Sequence, residues 1–160
     1  MVSNKQRKRL GDAVMGGGAV LKSPTGRFLL RLFFISVVVN YVWEMAQMPL
    51  YENMPFSELS SWLICLRASL GDGLIIVAIW ATGYLFYRSL DWFRPLTAGN
   101  VAILAIVGAV IAAAIEFHAL ATGRWVYSSL MPMVPLLGIG VSPFVQLLVL
   151  PWPLMLLAKR

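Results

Sequence analysis

The sequence predicts an all-α fold, an integral membrane four-helix bundle, from its composition and its hydropathy pattern. Hydrophobic residues make up 59% of the 160 residues and charged residues only 12%, whereas a soluble domain has roughly 25% charged residues. Four apolar segments are each longer than the about 20 residues that a helix needs to cross the hydrocarbon core. Because backbone amides in lipid must pair within their own segment, the expected spans are helices.

The chain is expected to divide into an arm and one membrane domain. Residues 1–26 are basic and glycine-containing, which predicts a disordered cytoplasmic arm lying on anionic lipid. Residues 27–160 form the domain, with spans at about 28–50, 61–87, 101–121 and 135–157. The small residues of the third span predict close helix contact, and the prolines of the fourth predict a kink or a break.

Lysine and arginine predict the orientation. Ten of them fall in the arm, in the loop of residues 88–100 or at the C-terminus: Lys5, Arg7, Lys8, Arg9, Lys22, Arg27, Arg88, Arg94, Lys159 and Arg160. The loops on the opposite side carry Glu52, Glu58 and Arg124. The positive-inside rule therefore places both termini in the cytoplasm. No aromatic residues alternate with the positive charges of the arm, so a nucleic-acid partner is not expected.

Cysteine and histidine counts restrict the chemistry. The chain has one cysteine, Cys65, and one histidine, His118. This excludes a disulfide framework within the chain and a metal centre built from several Cys or His ligands. No nucleotide-binding loop and no Ser-His-Asp set occurs, so we expect neither a cofactor nor a metal.

Polar residues occur at helical spacing inside the apolar spans. Asn40, Trp43, Glu44 and Gln47 fall at i, i+3, i+4 and i+7 on one face of the first span. Each of the other spans contributes polar groups at a similar depth, estimated from a rise of about 1.5 Å per residue. Arg67, Glu116 and Ser142 are expected at the depth of Glu44, and Asp72 and Gln146 are expected nearer the midplane. The pattern predicts one polar cavity in the outer half of the bundle.

Such a cavity is suited to general acid/base chemistry. Two carboxyl groups in a dry cavity favour a state in which one is ionised and the other keeps a proton. Aromatic faces stabilise a carbocation. The candidate catalytic residues are Glu44, Asp72 and Glu116. The candidate substrate-binding residues are Asn40, Trp43, Gln47, Arg67, Tyr127 and Gln146.

Other interpretations remain open from the residues alone. Glu44 or Glu116 could form a purely structural ion pair with Arg67, and the protein would then be an accessory subunit. A small proton- or ion-coupled transporter is the main rival to an enzyme. A transporter needs a polar path to both membrane faces, but the inner half has few polar groups besides Arg31. Homo-oligomer formation is left open.

The motif Asn40-x-x-Trp43-Glu44 resembles the Asn-x-x-Trp-Glu motif of membrane-integral terpene cyclases. The resemblance covers about ten residues, and that family has about seven spans where four are predicted here. It implies that Glu44 is a proton donor toward an isoprenoid-like lipid. The combination of acidic residues and a tryptophan inside a helical bundle also resembles sterol-isomerase-type bundles. The blocks at residues 43–51, 70–72 and 122–127 resemble small bacterial four-span proteins, which implies a bacterial inner membrane location.

Overall fold

The computed structural model describes residues 23–160 and is all-helical in this range, apart from two isolated β-bridges. Its helices are α1 (Pro24–Gln47), α2 (Leu59–Tyr87), α3 (Ala98–Ala121), α4 (Val141–Val149) and α5 (Pro151–Lys159), and a short 3-10 turn at Met48–Leu50 extends α1. Four helical stretches are long and apolar enough to cross a membrane, with α4 and α5 forming the fourth. The predicted four-helix membrane fold is confirmed. The basic residues of positions 1–22 lie outside the described range.

The first span begins earlier than the sequence pattern indicates. The side-chain oxygen of Ser23 accepts a hydrogen bond from the Gly26 amide at 3.0 Å, and Pro24 occupies the first helical turn. A serine cap followed by proline is a favourable helix start. Residues 24–26, which were expected in the arm, therefore belong to α1.

The fourth span is shorter than expected and broken. Its helix begins at Val141 rather than near residue 135, because residues 122–140 form a long irregular connection. Pro151 has no amide hydrogen to continue the backbone ladder, and the span divides there into α4 and α5. This confirms the proline-based prediction of a break.

The two ends of the bundle differ in character. We call one end of the bundle the terminal end; it contains Ser23, the connection of residues 88–97 and Lys159. A cluster of buried aromatic residues fills the space between the helices at this end. Phe28 stacks on Phe93 with ring centroids 5.9 Å apart, and Trp92 Nε1 donates to the Trp80 carbonyl at 3.1 Å. The loop end, made of residues 51–58 and 122–140, contains the polar groups described below. The terminal half of the bundle is therefore closely packed and mostly apolar, and we call this cluster of buried aromatic residues the aromatic plug.

Glycine permits close contact where helices meet. A Cβ atom on Gly108 would lie 2.5 Å from the Leu147 carbonyl oxygen, so α3 and α4 approach each other backbone to backbone there. This agrees with the small-residue pattern predicted for the third span.

Two glycines of α2 provide a matched test of the packing. A Cβ atom on Gly83 would lie 2.1 Å from the Trp92 ring, whereas one on Gly71 would meet nothing within 4 Å. We expect Gly83→Ala to lower the free energy of unfolding by about 2 kcal/mol through overpacking. Gly71→Ala should leave it unchanged or raise it slightly, since alanine favours helix. Thermal unfolding in detergent measures both variants, and equal effects would contradict this packing.

Candidate functional site

Gln146 lies at the centre of the polar groups in the loop-end half of the bundle. This α4 side chain is buried, with 2% of its surface exposed. Its Nε2 donates to Asn40 Oδ1 at 2.8 Å and to Asp72 Oδ2 at 3.0 Å, and lies 3.4 Å from Glu44 Oε1. One amide thus connects α1, α2 and α4, and its two hydrogens serve three acceptors.

Glu44 and Asp72 form a carboxyl pair on either side of this amide. Glu44 comes from the predicted polar face of α1, and Asp72 lies one turn after Ser69 on α2. Both carboxyl groups lie within hydrogen-bonding distance of the same Gln146 amide nitrogen. Asn40 is fully buried, and its own amide donates to the Ser36 carbonyl at 2.8 Å, which fixes its oxygen toward Gln146. Asn40 thus orients the Gln146 amide that contacts both carboxyl groups.

A second polar contact lies one helical turn nearer the loop end. Ser142 Oγ donates to Gln47 Oε1 at 2.8 Å and joins the start of α4 to the end of α1. Gln47 is buried. This contact closes the loop-end side of the carboxyl pair.

Glu116 forms the other acidic part of the site. It is buried on α3 and accepts hydrogen bonds from the Tyr127 hydroxyl and from Trp125 Nε1. The Tyr127 hydroxyl in turn accepts the Gly140 amide at 2.9 Å. The chain reverses after α3 at Gly123, whose φ of +64° suits glycine. This reversal returns both aromatic residues to the carboxyl group.

Tyr51 packs against the two aromatic residues that donate to Glu116. Its ring packs against Trp125 and Tyr127 with centroids 6.2 and 5.8 Å away. Burial raises the pKa of Tyr51 well above its usual range, and the nearby carboxylate charges of Glu116 and Glu44 act in the same direction. Tyr51 therefore remains a neutral phenol within the electrostatic reach of both carboxyl groups.

Trp43 has a buried indole N–H without a hydrogen-bond partner. It precedes Glu44 on α1 and lies one turn from both Asn40 and Gln47. A buried indole N–H normally has an acceptor, and an unpaired polar group away from water is costly. This N–H is thus a donor that nothing in the described chain uses.

Arg67 does not join this cluster, in contrast to the sequence-based expectation. The buried positions of the same part of α2 are Ser61, Cys65 and Ser69, and Arg67 lies on the opposite, exposed face. The ion pairs of residues 23–160 both involve Asp91, with Arg94 and with Lys159, and neither includes Arg67. The structural pairing of Arg67 with Glu44 or Glu116 is therefore not formed.

An open groove lies at the loop end, beside Tyr51. It has a volume of about 490 Å³ and is lined by the turn after α1 and the connection to α2, including Met48, Tyr51 and Met54. Glu44, Asp72 and Glu116 do not line this groove, and Tyr51 separates it from the aromatic residues that contact Glu116. Within residues 23–160, no group of His, Cys, Asp and Glu side chains is arranged to hold a metal ion.

Tyr51 and Trp125 were not among the candidate residues, and Ser142 was predicted as a polar group of the cavity without a role in the site. Trp125 fits an interfacial belt equally well by sequence, and Tyr51 only extends the polar face of the first span. The available signal was the Thr122-Gly123 pair at the end of α3, because glycine after a helix is typical of a chain reversal. A reversal there brings residues 125–127 back toward Glu116.

Comparison with known proteins adds no family to this description. No family model matches the chain, and neither the curated proteins nor the solved structures give a significant match.

Proposed function

We propose that this protein is a membrane-integral acid/base enzyme, an isomerase or cyclase that acts by protonation on an isoprenoid-like lipid. The observation that supports this most is the Glu44–Asp72 pair bridged by Gln146. Two carboxyl groups that share one buried amide nitrogen would place like charges close together, which favours a state in which one of them keeps a proton. The pair therefore stores one proton in a water-poor site.

The proposed reaction transfers that proton and then recovers it. A carboxyl O–H bond breaks as the π electrons of the substrate alkene form a new C–H bond, leaving a carbocation and a carboxylate. Loss of a proton from a neighbouring carbon to the carboxylate forms a new double bond, directly or after ring closure. The aromatic faces of Tyr51 and Trp43 stabilise the cation. The net reaction is an isomerisation or a cyclisation without a cofactor.

The aromatic plug favours an enzyme over a transporter. A carrier requires a polar path through the whole bundle, whereas the terminal half of the described chain is filled by buried residues such as Phe28, Trp80 and Phe93. The buried acidic groups Glu44, Asp72 and Glu116 all lie in the loop-end half. In this proposal the lipid enters from the loop end and reaches the acidic groups without crossing the plug.

The orientation proposed for this enzyme has both termini in the cytoplasm of a bacterial cell, with the protein in the inner membrane. Arg27, Arg88, Arg94 and Lys159 lie at the terminal end, whereas Glu52 and Glu58 lie at the loop end. This charge distribution follows the positive-inside rule. The site then faces the outer half of the bilayer.

The unpaired Trp43 N–H indicates that the substrate carries an oxygen acceptor. Native mass spectrometry can compare binding of a C20 polyprenyl alcohol with binding of the hydrocarbon of the same skeleton. We expect the wild type to prefer the alcohol, and Trp43→Phe to lower this preference about fivefold by removing one hydrogen bond. Hydrocarbon binding should be retained, because the ring remains.

Trp62→Phe is the matched control, since the Trp62 indole already donates to the Phe56 carbonyl at 2.8 Å. It should leave the preference for the alcohol unchanged. If Trp43→Phe weakens binding of the alcohol and of the hydrocarbon equally, Trp43 is a packing residue and not a hydrogen-bond donor to the substrate. Failure of the wild type to bind either ligand would count against the proposed substrate class.

A further inference from the structure

Arg67 is an exposed cation within a membrane-spanning helix. It lies on the third turn of α2, and its neighbours on that face are exposed apolar side chains, including Leu63, Ile64, Leu70 and Leu74. A charged residue in contact with lipid is costly and requires a partner or a route to the interface. The ion pairs of residues 23–160 give it no partner within the chain.

The geometry of α2 directs Arg67 toward the loop end of the bundle. In an α-helix the Cα–Cβ bond tilts toward the N-terminus, and α2 begins at the loop end with Leu59. Trp62 lies in the first turn, exposed at the level expected for interfacial aromatic residues. Arg67 is five residues further along, about 7.5 Å at the helical rise. A long arginine side chain spans this distance by snorkelling along apolar surface.

The positions of the acidic groups indicate what kind of group can pair with Arg67. In the described spans, Glu44, Asp72 and Glu116 are all in the interior site and not on the lipid-facing surface. A second copy related by a two-fold axis along the membrane normal and packed through α2 would place its own Arg67 at the same depth, where the two cations repel. The complementary group is therefore an anion supplied by the bilayer. A guanidinium binds phosphate oxygens through two parallel hydrogen bonds.

We propose that Arg67 and the apolar face of α2 around it bind an anionic phospholipid of the loop-end leaflet, with the guanidinium on the phosphate and the acyl chains along Leu70 and Leu74. This site is separate from the acid/base cluster and does not depend on the proposed reaction. It gives the arginine its counter-charge and fixes the depth of α2 in the bilayer.

Native mass spectrometry of the detergent-purified protein tests this site with two lipids of identical acyl chains, phosphatidylglycerol and phosphatidylcholine. We expect the wild type to bind phosphatidylglycerol more tightly. Arg67→Gln should lower phosphatidylglycerol binding about fivefold, the contribution typical of one basic residue near anionic lipid, and leave phosphatidylcholine binding unchanged. Arg67→Lys should retain part of the preference, because the charge remains but the bidentate geometry is lost.

Arg124→Gln is the control for net charge, because Arg124 lies exposed at the loop end over the Trp125 ring. It should bind both lipids as the wild type does. The proposal fails if Arg67→Gln keeps the lipid preference, or if both lipids are lost equally. Displacement of the lipid by excess inorganic phosphate would indicate a soluble anion instead. A dimer present in the wild type and absent in Arg67→Gln would indicate a second copy.

Discussion

Replacement of Gln146 by leucine is expected to lower the free energy of unfolding in detergent by about 3 kcal/mol. The leucine side chain has a similar size, but it removes the only amide that serves Asn40, Glu44 and Asp72 together. A buried acceptor left without a donor costs about 1–3 kcal/mol, and the interior of a membrane bundle offers little water to replace it. Thermal unfolding followed by circular dichroism measures the change.

Ser142→Ala is the comparison variant for this prediction, because Ser142 makes one side-chain contact, to Gln47. It should cost about 1 kcal/mol, the net value of a single hydrogen bond. A Gln146→Leu variant as stable as Ser142→Ala would show that the three acceptors do not depend on the shared amide. The central position given to Gln146 would then have to be abandoned.

Glu44→Gln is expected to abolish proton transfer and to leave the protein folded. The glutamine amide keeps the shape of the carboxyl group and most of its hydrogen bonds, but it does not release a proton at a useful rate. No cation of the described chain pairs with Glu44, so the substitution leaves no buried charge without its partner. Stability in detergent should change by less than about 1 kcal/mol.

Glu58→Gln makes the same chemical change at an exposed position just before α2. It should affect neither stability nor proton transfer. A loss of several kcal/mol in Glu44→Gln, without such a loss in Glu58→Gln, would assign Glu44 to the scaffold. In that case the catalytic role would be withdrawn.

The fold was predictable because it depends on properties that the sequence displays directly. The length and hydropathy of the apolar segments determine how many helices can cross a membrane. The proline at position 151 predicts the division of the fourth span, because its ring cannot support the regular ladder. The start of α1 was less visible, since the Ser23–Pro24 cap lies next to residues whose polar composition resembles the arm.

The polar face of α1 was predictable for the same reason, because helical spacing alone places Asn40, Glu44 and Gln47 together. The rotation of α2 about its own axis was not predictable from the sequence. Asp72 and Arg67 are five residues apart, so they point in different directions, and only packing against α1 determines which of them is buried. The return of Trp125 and Tyr127 to Glu116 depends on the path of an irregular connection, which has no periodicity to interpret.

Deuterium transfer tests the central claim most directly. The protein is reconstituted in D₂O-buffered vesicles with polyprenyl alcohols of several chain lengths, and the lipids are analysed for carbon-bound deuterium. The account predicts incorporation by the wild type and by Glu58→Gln, and none by folded Glu44→Gln. Deuterium transfer that is equal in all three proteins, or absent in the wild type with every lipid, would contradict the assignment of the Glu44–Asp72 pair as a catalytic acid/base site.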